Sequence, residues 1–394
     1  MASLCALREL RRRSCYCVGR RAVACSPAPS RPLPVVDISA YMAGGADRAA
    51  GGGARASTAR AFEAACRDPG FFYLTGHGVP EADIDDLHAL AKRFFALPAS
   101  SKEAIALSHR AESGRGYQRL GENVTQGRRD WHEAIDFYAE VDERSVDLDA
   151  FRRPPSTLGE GDVSRLRPLA LGRNVWPAEP AGFRAAAETH FARMAGVGAA
   201  LMSVMADALS LPSGYFQTLT DRSFWGARII GYPPLQNASL DVGLVGASCG
   251  EHTDYGCWTI LAQDSTPGAL QVRQSDGSWM TVDPLPGAFV VNLGDMLSVW
   301  TRRRFSATPH LVRQTTRDRY RTSVAFFYEP NFDAVIKPLA GLDGETKVAD
   351  AAAGPTGLVG ATAPLLRAMD GGSLVYGEHL FAKVSGNFDF AANR

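Results

Sequence analysis

The chain has 394 residues, 45% of them hydrophobic and 21% charged, which is the composition of an ordinary globular protein. The 42 Lys and Arg residues balance the 42 Asp and Glu residues, so the net charge of zero favours neither nucleic acid nor a membrane surface as a partner. The chain contains no run of about 18 apolar residues, so we expect no transmembrane helix.

The first 31 residues differ in composition from the rest of the chain. They hold seven Arg, no Lys and a single acid, Glu9, among many Ser, Ala and Cys residues. This composition is typical of an organelle transit peptide, and the apolar core of a secretory signal is missing. We therefore expect residues 1–31 to direct the protein to a plastid or a mitochondrion. The alternatives are a disordered tail or a misassigned start codon, with the protein in the cytoplasm.

Most of the cysteines lie in this N-terminal segment, which contains four of the seven. The other three are Cys66, Cys249 and Cys257, which predict no disulfide framework and fit a reducing compartment. Cys249 and Cys257 flank a His-x-Asp pair and could bind a metal as thiolates. We interpret them instead as small buried residues.

Residues 32–223 are predicted to form an N-terminal region in which short strands alternate with amphipathic helices. Extended segments are predicted at 32–38, 70–74, 115–117 and 130–133, helices at 58–67, 81–95 and 180–209, and loops or connections at 43–56 and 158–180. His77, between two glycines, is interpreted as a turn residue. His132 is interpreted as a hydrogen-bonded surface residue rather than as a support for a ligand.

From Phe224 the hydrophobic period changes from that of helices to that of strands. Eight short strands are predicted at 227–232, 252–262, 270–273, 279–282, 289–293, 296–300, 309–312 and 321–329. This rhythm is typical of a double-sheet jelly roll, also called a double-stranded β-helix. We therefore predict an α+β fold in which residues 224–330 form the jelly-roll core. Residues 331–394 are predicted to form a helical C-terminal extension, with a closing helix at 373–383.

The pair His252 and Asp254 lies at the start of a predicted strand, where positions two apart face the same side. His310 follows after enough residues for several further strands, so its strand can return beside the first. Two imidazoles and one carboxylate on one face of an octahedron form the site of a mononuclear non-haem iron(II) protein. The sequence therefore predicts a metal site formed by these three residues.

A second polar pattern follows His310 on the last predicted strand. Arg321 and Ser323 would face the same side, and a guanidinium beside a hydroxyl is a good receptor for a carboxylate. Burying an arginine without a partner would be very costly. We therefore expect these two residues to bind an anionic ligand in the same cavity as the metal.

Several motifs occur together in an order that is specific to one family, although each alone is weak. They are LPVVD at 33–37, GFFY at 70–73, EHTDYG at 251–256, GALQV at 268–272, VNLGD at 291–295, TPH at 308–310 and RTS at 321–323. From about residue 33 the chain resembles the plant and microbial 2-oxoglutarate/iron(II)-dependent dioxygenases of the isopenicillin N synthase-like group.

The resemblance implies a role for each residue of the predicted site. His252, Asp254 and His310 correspond to the iron ligands. Arg321 and Ser323 correspond to the receptor for the distal carboxylate of 2-oxoglutarate.

Two further residues are implied by the same resemblance. Tyr232 corresponds to a tyrosine that also reaches this carboxylate, but Ile230 and its neighbours stand where the family often has an asparagine, which puts one polar contact to the co-substrate in doubt. Asn292 is a candidate for a group that supports the co-substrate and metal site, and its alternative is a structural turn amide.

The function implied by the resemblance is oxidation of a small organic molecule, by default its hydroxylation, with release of succinate and CO2. Fe(II), 2-oxoglutarate and O2 would be required, and ascorbate is a further candidate cofactor. One alternative is an Fe(II) oxidase of the same fold that does not use 2-oxoglutarate, and another is a catalytically idle jelly-roll protein that keeps the metal for structure. We expect a monomer, with no nucleic acid or membrane partner. The substrate should be recognised by the loop at 116–124 and by the C-terminal helix.

Overall fold

Two β-sheets form the centre of the molecule, and helices cover the outer face of the larger one. The computed structural model describes residues 32–42, 52–107, 113–234, 248–305, 307–313, 316, 318–342 and 363–387. The described strands are β1 (Val35–Asp37), β2 (Phe71–Thr75), β3 (Gly116–Gln118), β4 (Val124–Thr125), β5 (Arg128–Arg129), β6 (Glu133–Tyr138), β7 (Gly226–Tyr232), β8 (Cys249–His252), β9 (Trp258–Gln263), β10 (Leu270–Arg273), β11 (Trp279–Val282), β12 (Phe289–Leu293), β13 (His310–Val312), β14 (Arg321–Tyr328), β15 (Val335–Ile336) and β16 (Leu374–Val375). The described helices are α1 (Ser39–Met42), α2 (Gly52–Arg67), α3 (Glu81–Phe95), α4 (Ala99–Glu103), α5 (Glu160–Leu171), α6 (Phe183–Ala208), α7 (Gln217–Thr220), α8 (Asp295–Trp300), α9 (Ala363–Met369) and α10 (Tyr376–Asn387).

The larger sheet has eight strands in the order β1-β2-β12-β9-β14-β7-β6-β3, and the smaller has four in the order β11-β10-β13-β8. Apolar side chains of both sheets form one buried cluster, which includes Phe71, Val290, Leu270 and Val312. The two sheets therefore pack face to face, and the predicted jelly-roll core flanked by helices is confirmed.

The side chains of β14 alternate between the two faces of the large sheet, as the period of a strand requires. Val324, Phe326 and Tyr328 are buried on the face that packs against helix α6. α6 is long and apolar enough to suit a membrane span by length and composition, but half of its most apolar stretch is buried inside the protein. It serves here as the main helix of the core.

Three of the predicted elements were wrong. The predicted strand 252–262 is interrupted, because β8 ends at His252 in one sheet and β9 begins at Trp258 in the other. The predicted strand 296–300 is helix α8, whose side chains are all buried, so no polar alternation distinguished strand from helix. The predicted connection 158–180 contains α5, whose helical pattern is interrupted by Pro168.

Helix boundaries differ from the prediction by more than three residues at two places. α2 begins at Gly52, inside the predicted loop 43–56, and α10 begins at Tyr376 and continues past the predicted end of the closing helix. Residues 43–51 of that loop and the predicted N-terminal segment 1–31 lie outside the described residues. The predicted division of the chain at residues 31, 223 and 330 stays a prediction.

Contact between α6 and β14 depends on a glycine. A Cβ at Gly198 would overlap the ring of Tyr328, which is buried and donates a hydrogen bond from its hydroxyl to the Thr220 carbonyl. We expect Gly198→Ala to lower the free energy of unfolding by roughly 1–3 kcal/mol, because the helix must move away from the sheet. Gly196 is exposed on the same helix, and a Cβ added there would have no atom within 4 Å, so Gly196→Ala is the matched control.

Denaturant unfolding of both variants checks this prediction. Gly196→Ala should be neutral or stabilising by up to about 1 kcal/mol, because alanine is the better helix former. Equal stability of the two variants would contradict the proposed packing of α6 on β14.

Candidate functional site

The three predicted metal ligands meet at the edge of the small sheet. His252 ends β8 and His310 begins β13, and the two residues are directly paired across these strands. Their Nε2 atoms lie 3.6 Å and 3.7 Å from the two carboxylate oxygens of Asp254. One ligand atom from each residue lies within 4.8 Å of the others, and this is the one such group in the part of the chain that the structure describes.

Both imidazoles present the nitrogen that a metal needs. Nδ1 of His252 lies 2.8 Å from the Gly250 carbonyl, and Nδ1 of His310 lies 3.1 Å from the Thr308 carbonyl. A carbonyl oxygen only accepts hydrogen bonds, so each Nδ1 carries a proton and each Nε2 is the nitrogen directed at Asp254. Burial alone would lower the pKa of His252, but Cys249, Asp254 and the Gly250 carbonyl raise it to about 10, so His252 must release a proton from Nε2 when a metal binds. Burial, together with the neighbouring His252, lowers the pKa of His310 to about 4, so His310 is neutral at physiological pH, as metal binding requires.

The Asp254 carboxylate is oriented from the large sheet. Asn292 on β12 donates a hydrogen bond of 2.6 Å to Asp254 Oδ2, and the hydroxyl of Thr259 on β9 donates to the same oxygen. Asn292 and Thr259 are paired across β12 and β9, so neighbouring strands hold both donors in place. Burial raises the pKa of Asp254, but His310, His252 and these two donors together keep it below its ordinary value. The carboxylate is therefore ionised and fixed.

This geometry changes the interpretation of one predicted residue and adds another. Asn292 lies within a strand and not in a turn, so the turn-amide alternative was wrong. Thr259 was missed, because a threonine in an otherwise apolar strand has no motif. The only signal was its position on a strand that begins four residues after Asp254.

Arg321 lies on β14 with its guanidinium buried in the space between the sheets. It is 1% exposed, lies 4.6 Å from the centroid of the Tyr232 ring, and donates from Nη2 to Gln263 Oε1 at 3.1 Å. Its Nε and Nη1 atoms have no hydrogen-bond partner among the described residues. An unsatisfied buried guanidinium is costly, so these atoms fit the carboxylate of an anionic ligand such as 2-oxoglutarate.

The other two residues predicted at this end of the site lie beside Arg321. Tyr232 is paired with it across β7 and β14, and Ser323 is two residues along the same strand, so both face inward. Both are buried, and burial raises the pKa of the Tyr232 hydroxyl. The hydroxyl therefore stays protonated and can donate a hydrogen bond to an anion.

The two other histidines that were interpreted from the sequence, His77 and His132, both have structural contacts. His77 accepts a hydrogen bond from the Val79 amide and donates one to the Gly287 carbonyl, which confirms its role in a turn. His132 was predicted at the surface, but it is 1% exposed and its ring packs edge-on against Tyr232. Its Nδ1 lies 2.7 Å from the Ser248 carbonyl, so the surface interpretation was wrong.

The two cysteines near the site are not among the residues that could hold the metal together. Cys257 is fully buried, in agreement with its interpretation, whereas Cys249 is only half-buried. The Cys249 sulfur lies 3.8 Å from Nδ1 of His252, which is the nitrogen that points away from Asp254.

A cavity of about 260 Å³ opens beside His252 and Asp254. Both segments expected to recognise the substrate contribute to it: Asn123 belongs to the predicted loop, and Leu380, Lys383 and Val384 belong to α10. The other charged or aromatic residues of its wall are Asp136, Tyr138, Arg228, Glu251, Tyr255, Phe327 and Glu329.

Glu251 and Tyr255 had been noted only as part of the EHTDYG motif, and the sequence analysis assigned no role to any of these wall residues. Arg228 lies four residues before Tyr232 on β7, and Glu329 lies eight residues after Arg321, just beyond β14. Even spacing on a strand places each pair on one face. This spacing was the available signal, and by itself it indicated a shared face of the strand but no binding role.

Comparison with known proteins agrees with this geometry. Family models of the N-terminal part of non-haem dioxygenases in morphine synthesis and of the 2OG-Fe(II) oxygenase superfamily match residues 33–160 and 224–330. A homoarginine-6-hydroxylase of Oryza sativa subsp. japonica is 36% identical over 334 residues, which are 82% of this chain and 87% of that protein. Another, of Arabidopsis thaliana, is 36% identical over 365 residues, or 91% of this chain and 98% of that protein.

A solved structure of a full-length Neurospora crassa protein, in complex with alpha-KG and thymine, matches with a TM-score of 0.67 at 22% identity. The match covers 90% of this chain and 97% of that chain, and at this identity it shows the fold alone.

A carboxylate between two imidazoles on a jelly roll, with a buried guanidinium nearby, defines a mononuclear non-haem oxygenase site. The chain belongs to the 2-oxoglutarate/Fe(II) oxygenase superfamily and is a non-haem Fe(II) dioxygenase that hydroxylates a small molecule. The predicted family, the fold class and the use of Fe(II) and 2-oxoglutarate are confirmed, while ascorbate stays a prediction.

The hydrogen bond from Thr259 to Asp254 can be tested by metal binding. We expect Thr259→Val, which has the same shape without the hydroxyl, to weaken Fe(II) affinity about 10–100-fold, because the carboxylate loses a donor that orients it. Thr259→Ser keeps the hydroxyl and is the control. Anaerobic titration calorimetry measures both, and wild-type affinity in the valine variant would refute this role for Thr259.

Proposed function

We propose that this dioxygenase hydroxylates a basic amino acid of the homoarginine type, with 2-oxoglutarate as co-substrate. The relatives that are 34–36% identical to the chain are named homoarginine-6-hydroxylases. The observation that carries the proposal is a small cavity beside the candidate metal ligands with acidic and basic side chains in its wall.

Within this proposal, His252, Asp254 and His310 hold the iron, while Arg321 and Ser323 receive the distal carboxylate of 2-oxoglutarate. Bound iron and 2-oxoglutarate supply the oxidising chemistry. The chain orients the ligands through Asp254 and its donors and excludes water. Both tasks depend on buried side chains, since Asp254 is 7% exposed and Arg321 is 1% exposed.

The size of the cavity supports a small substrate. Its volume of about 260 Å³ lies just below the range of roughly 300–1,000 Å³ that is usual for ligand pockets. A polymer or a large hydrophobic metabolite would not be enclosed.

The charges of the cavity support an amino acid. Arg228 donates from Nε and Nη2 to the two oxygens of Asp136, at 2.6 Å and 2.9 Å, so its guanidinium is held rigidly at the cavity wall. A guanidinium in such a position is suited to a carboxylate. Glu329, also in the wall, is suited to a cation. Homoarginine has both kinds of group.

The position of hydroxylation adds a constraint. Carbon 6 of homoarginine carries the guanidino group, so a homoarginine-6-hydroxylase must bind that cationic end near its metal ligands. In this chain Glu329 packs over Gly256, two residues after Asp254. We propose the same orientation of the substrate here.

Substrate identity can be tested by coupled turnover of the Fe(II)-loaded enzyme. We expect homoarginine to stimulate succinate release and to yield a hydroxylated product by mass spectrometry. Homocitrulline, in which a neutral urea replaces the guanidinium, should be at least about tenfold less effective, because a cation receptor is left unpaired. Oxygen uptake without succinate release would support an oxidase that does not use 2-oxoglutarate, and equal stimulation by both compounds would contradict the proposed substrate class.

The role of Arg321 can be tested separately. We expect Arg321→Ala to raise KM for 2-oxoglutarate by about 30-fold or more, since one desolvated charge-assisted contact is worth roughly 2–5 kcal/mol. Arg319→Ala removes the same charge from an exposed position two residues away and is the control. Steady-state kinetics with varied 2-oxoglutarate measures both, and an unchanged KM in Arg321→Ala would exclude this receptor.

We also propose a monomer in solution and import into a plastid or mitochondrion, with the cytoplasm as the alternative. The first is supported by a site whose candidate metal ligands all come from one chain. The second is supported only by the Arg-rich composition of residues 1–31.

A further inference from the structure

Within the part of the chain that the structure describes, the charged residues in the wall of the cavity are paired with one exception. Arg228 is paired with Asp136, and the Lys383 ammonium lies 3.3 Å from Asp295 Oδ2. Glu251 accepts a hydrogen bond of 3.0 Å from Arg273, which does not line the cavity. For Glu329 no ion pair is found among the described residues, and its Oε2 atom has no hydrogen-bond partner there.

Glu329 is nevertheless deeply buried, with 5% of its surface exposed. A buried carboxylate without a charged partner costs several kcal/mol by ordinary standards, so such groups usually mark a ligand site or are neutralised. Burial raises the pKa of Glu329 well above its ordinary value, and the neutral hydroxyl of Tyr376 offsets this rise only in part. A cation that entered the cavity would relieve this cost.

The position of Glu329 is fixed by the backbone around it. Its amide donates to Ser223 Oγ at 3.3 Å, and a Cβ at Gly256 would overlap its carboxylate. Only a glycine at 256 lets this carboxylate lie against the turn that follows Asp254. Glu329 is part of the cavity wall together with His252 and Asp254, and only 5% of its surface is exposed.

We infer that Glu329 is the residue that binds the cationic end of the substrate and selects a guanidinium or ammonium group over a neutral one. This inference rests on the proposed function and specifies which residue of the cavity recognises the cationic group of the substrate. Arg228 is paired with Asp136, so among the described residues of the wall Glu329 is the acid without a charged partner. A substrate with one more positive charge than a neutral amino acid balances it.

Equilibrium binding tests the inference without turnover. The enzyme is loaded with Fe(II) and 2-oxoglutarate under anaerobic conditions, and homoarginine and homocitrulline are titrated by calorimetry. We expect the wild type to prefer homoarginine by about 30-fold or more. In Glu329→Gln, which keeps the shape of the side chain and removes its charge, this preference should fall towards one, mainly through weaker binding of homoarginine.

A matched control is available on α10. Glu378 is also a buried acid, 2% exposed, but it accepts hydrogen bonds from Arg367 and Thr157 and does not line the cavity. Glu378→Gln should leave the ratio of the two affinities unchanged. Because each ratio compares two ligands on one variant, partial loss of folded protein does not alter it.

The outcomes separate the inference from the proposed function. A wild-type preference that persists in Glu329→Gln, or a wild type without any preference for the cation, overturns the role of Glu329. Preferential binding that depends on Glu329, but without hydroxylated homoarginine in the aerobic assay, supports the role of Glu329 and refutes homoarginine as the substrate.

Discussion

The Asp254 carboxylate is the group on which the arrangement of the site depends. The chain crosses from the small sheet to the large sheet between His252 and Trp258, and Asp254 lies in this crossing. The small sheet presents two imidazoles to it, and the large sheet presents the donors Asn292 and Thr259. A buried ionised acid is tolerated only with such partners. The partners of one carboxylate therefore come from both sheets, and the crossing places a metal-binding group at their junction.

The crossing itself was not predictable from the hydrophobic pattern. Residues 252–262 read as one strand, because period two identifies extended chain but not the sheet to which it belongs. The break depends on tertiary contacts. The Gly256 carbonyl accepts a hydrogen bond from the Met296 amide, and the Asp254 carbonyl accepts one from the Asp295 amide, so the turn is held by the first residues of α8. That segment was also predicted wrongly, since a fully buried helix of six residues shows no periodic polar face.

The metal and co-substrate end of the site was predictable for a physical reason. His252, Arg321 and Ser323 lie on strands or at their ends, where a spacing of two residues places side chains on one face, and Asp254 follows two residues after the end of β8. Residue type then indicated which ligand each side chain could bind, and spacing indicated that the side chains face the same side. His132 shows the limit of this reasoning, because its burial against Tyr232 depends on which strand returns beside it and not on its own neighbours in sequence.

The charged residues of the cavity were not predictable because they come from separate parts of the chain. Asp136 and Arg228 lie on adjacent strands, Glu329 follows β14, and Lys383 is supplied by the C-terminal helix. Each is an ordinary charged residue in the sequence. Only the three-dimensional pairing shows that Glu329 has no charged partner among the described residues. The two ends are nevertheless continuous, since the face of β14 that carries Arg321 leads along alternate residues to Glu329. Strand β14 therefore connects the buried guanidinium of Arg321 with the cavity wall at Glu329.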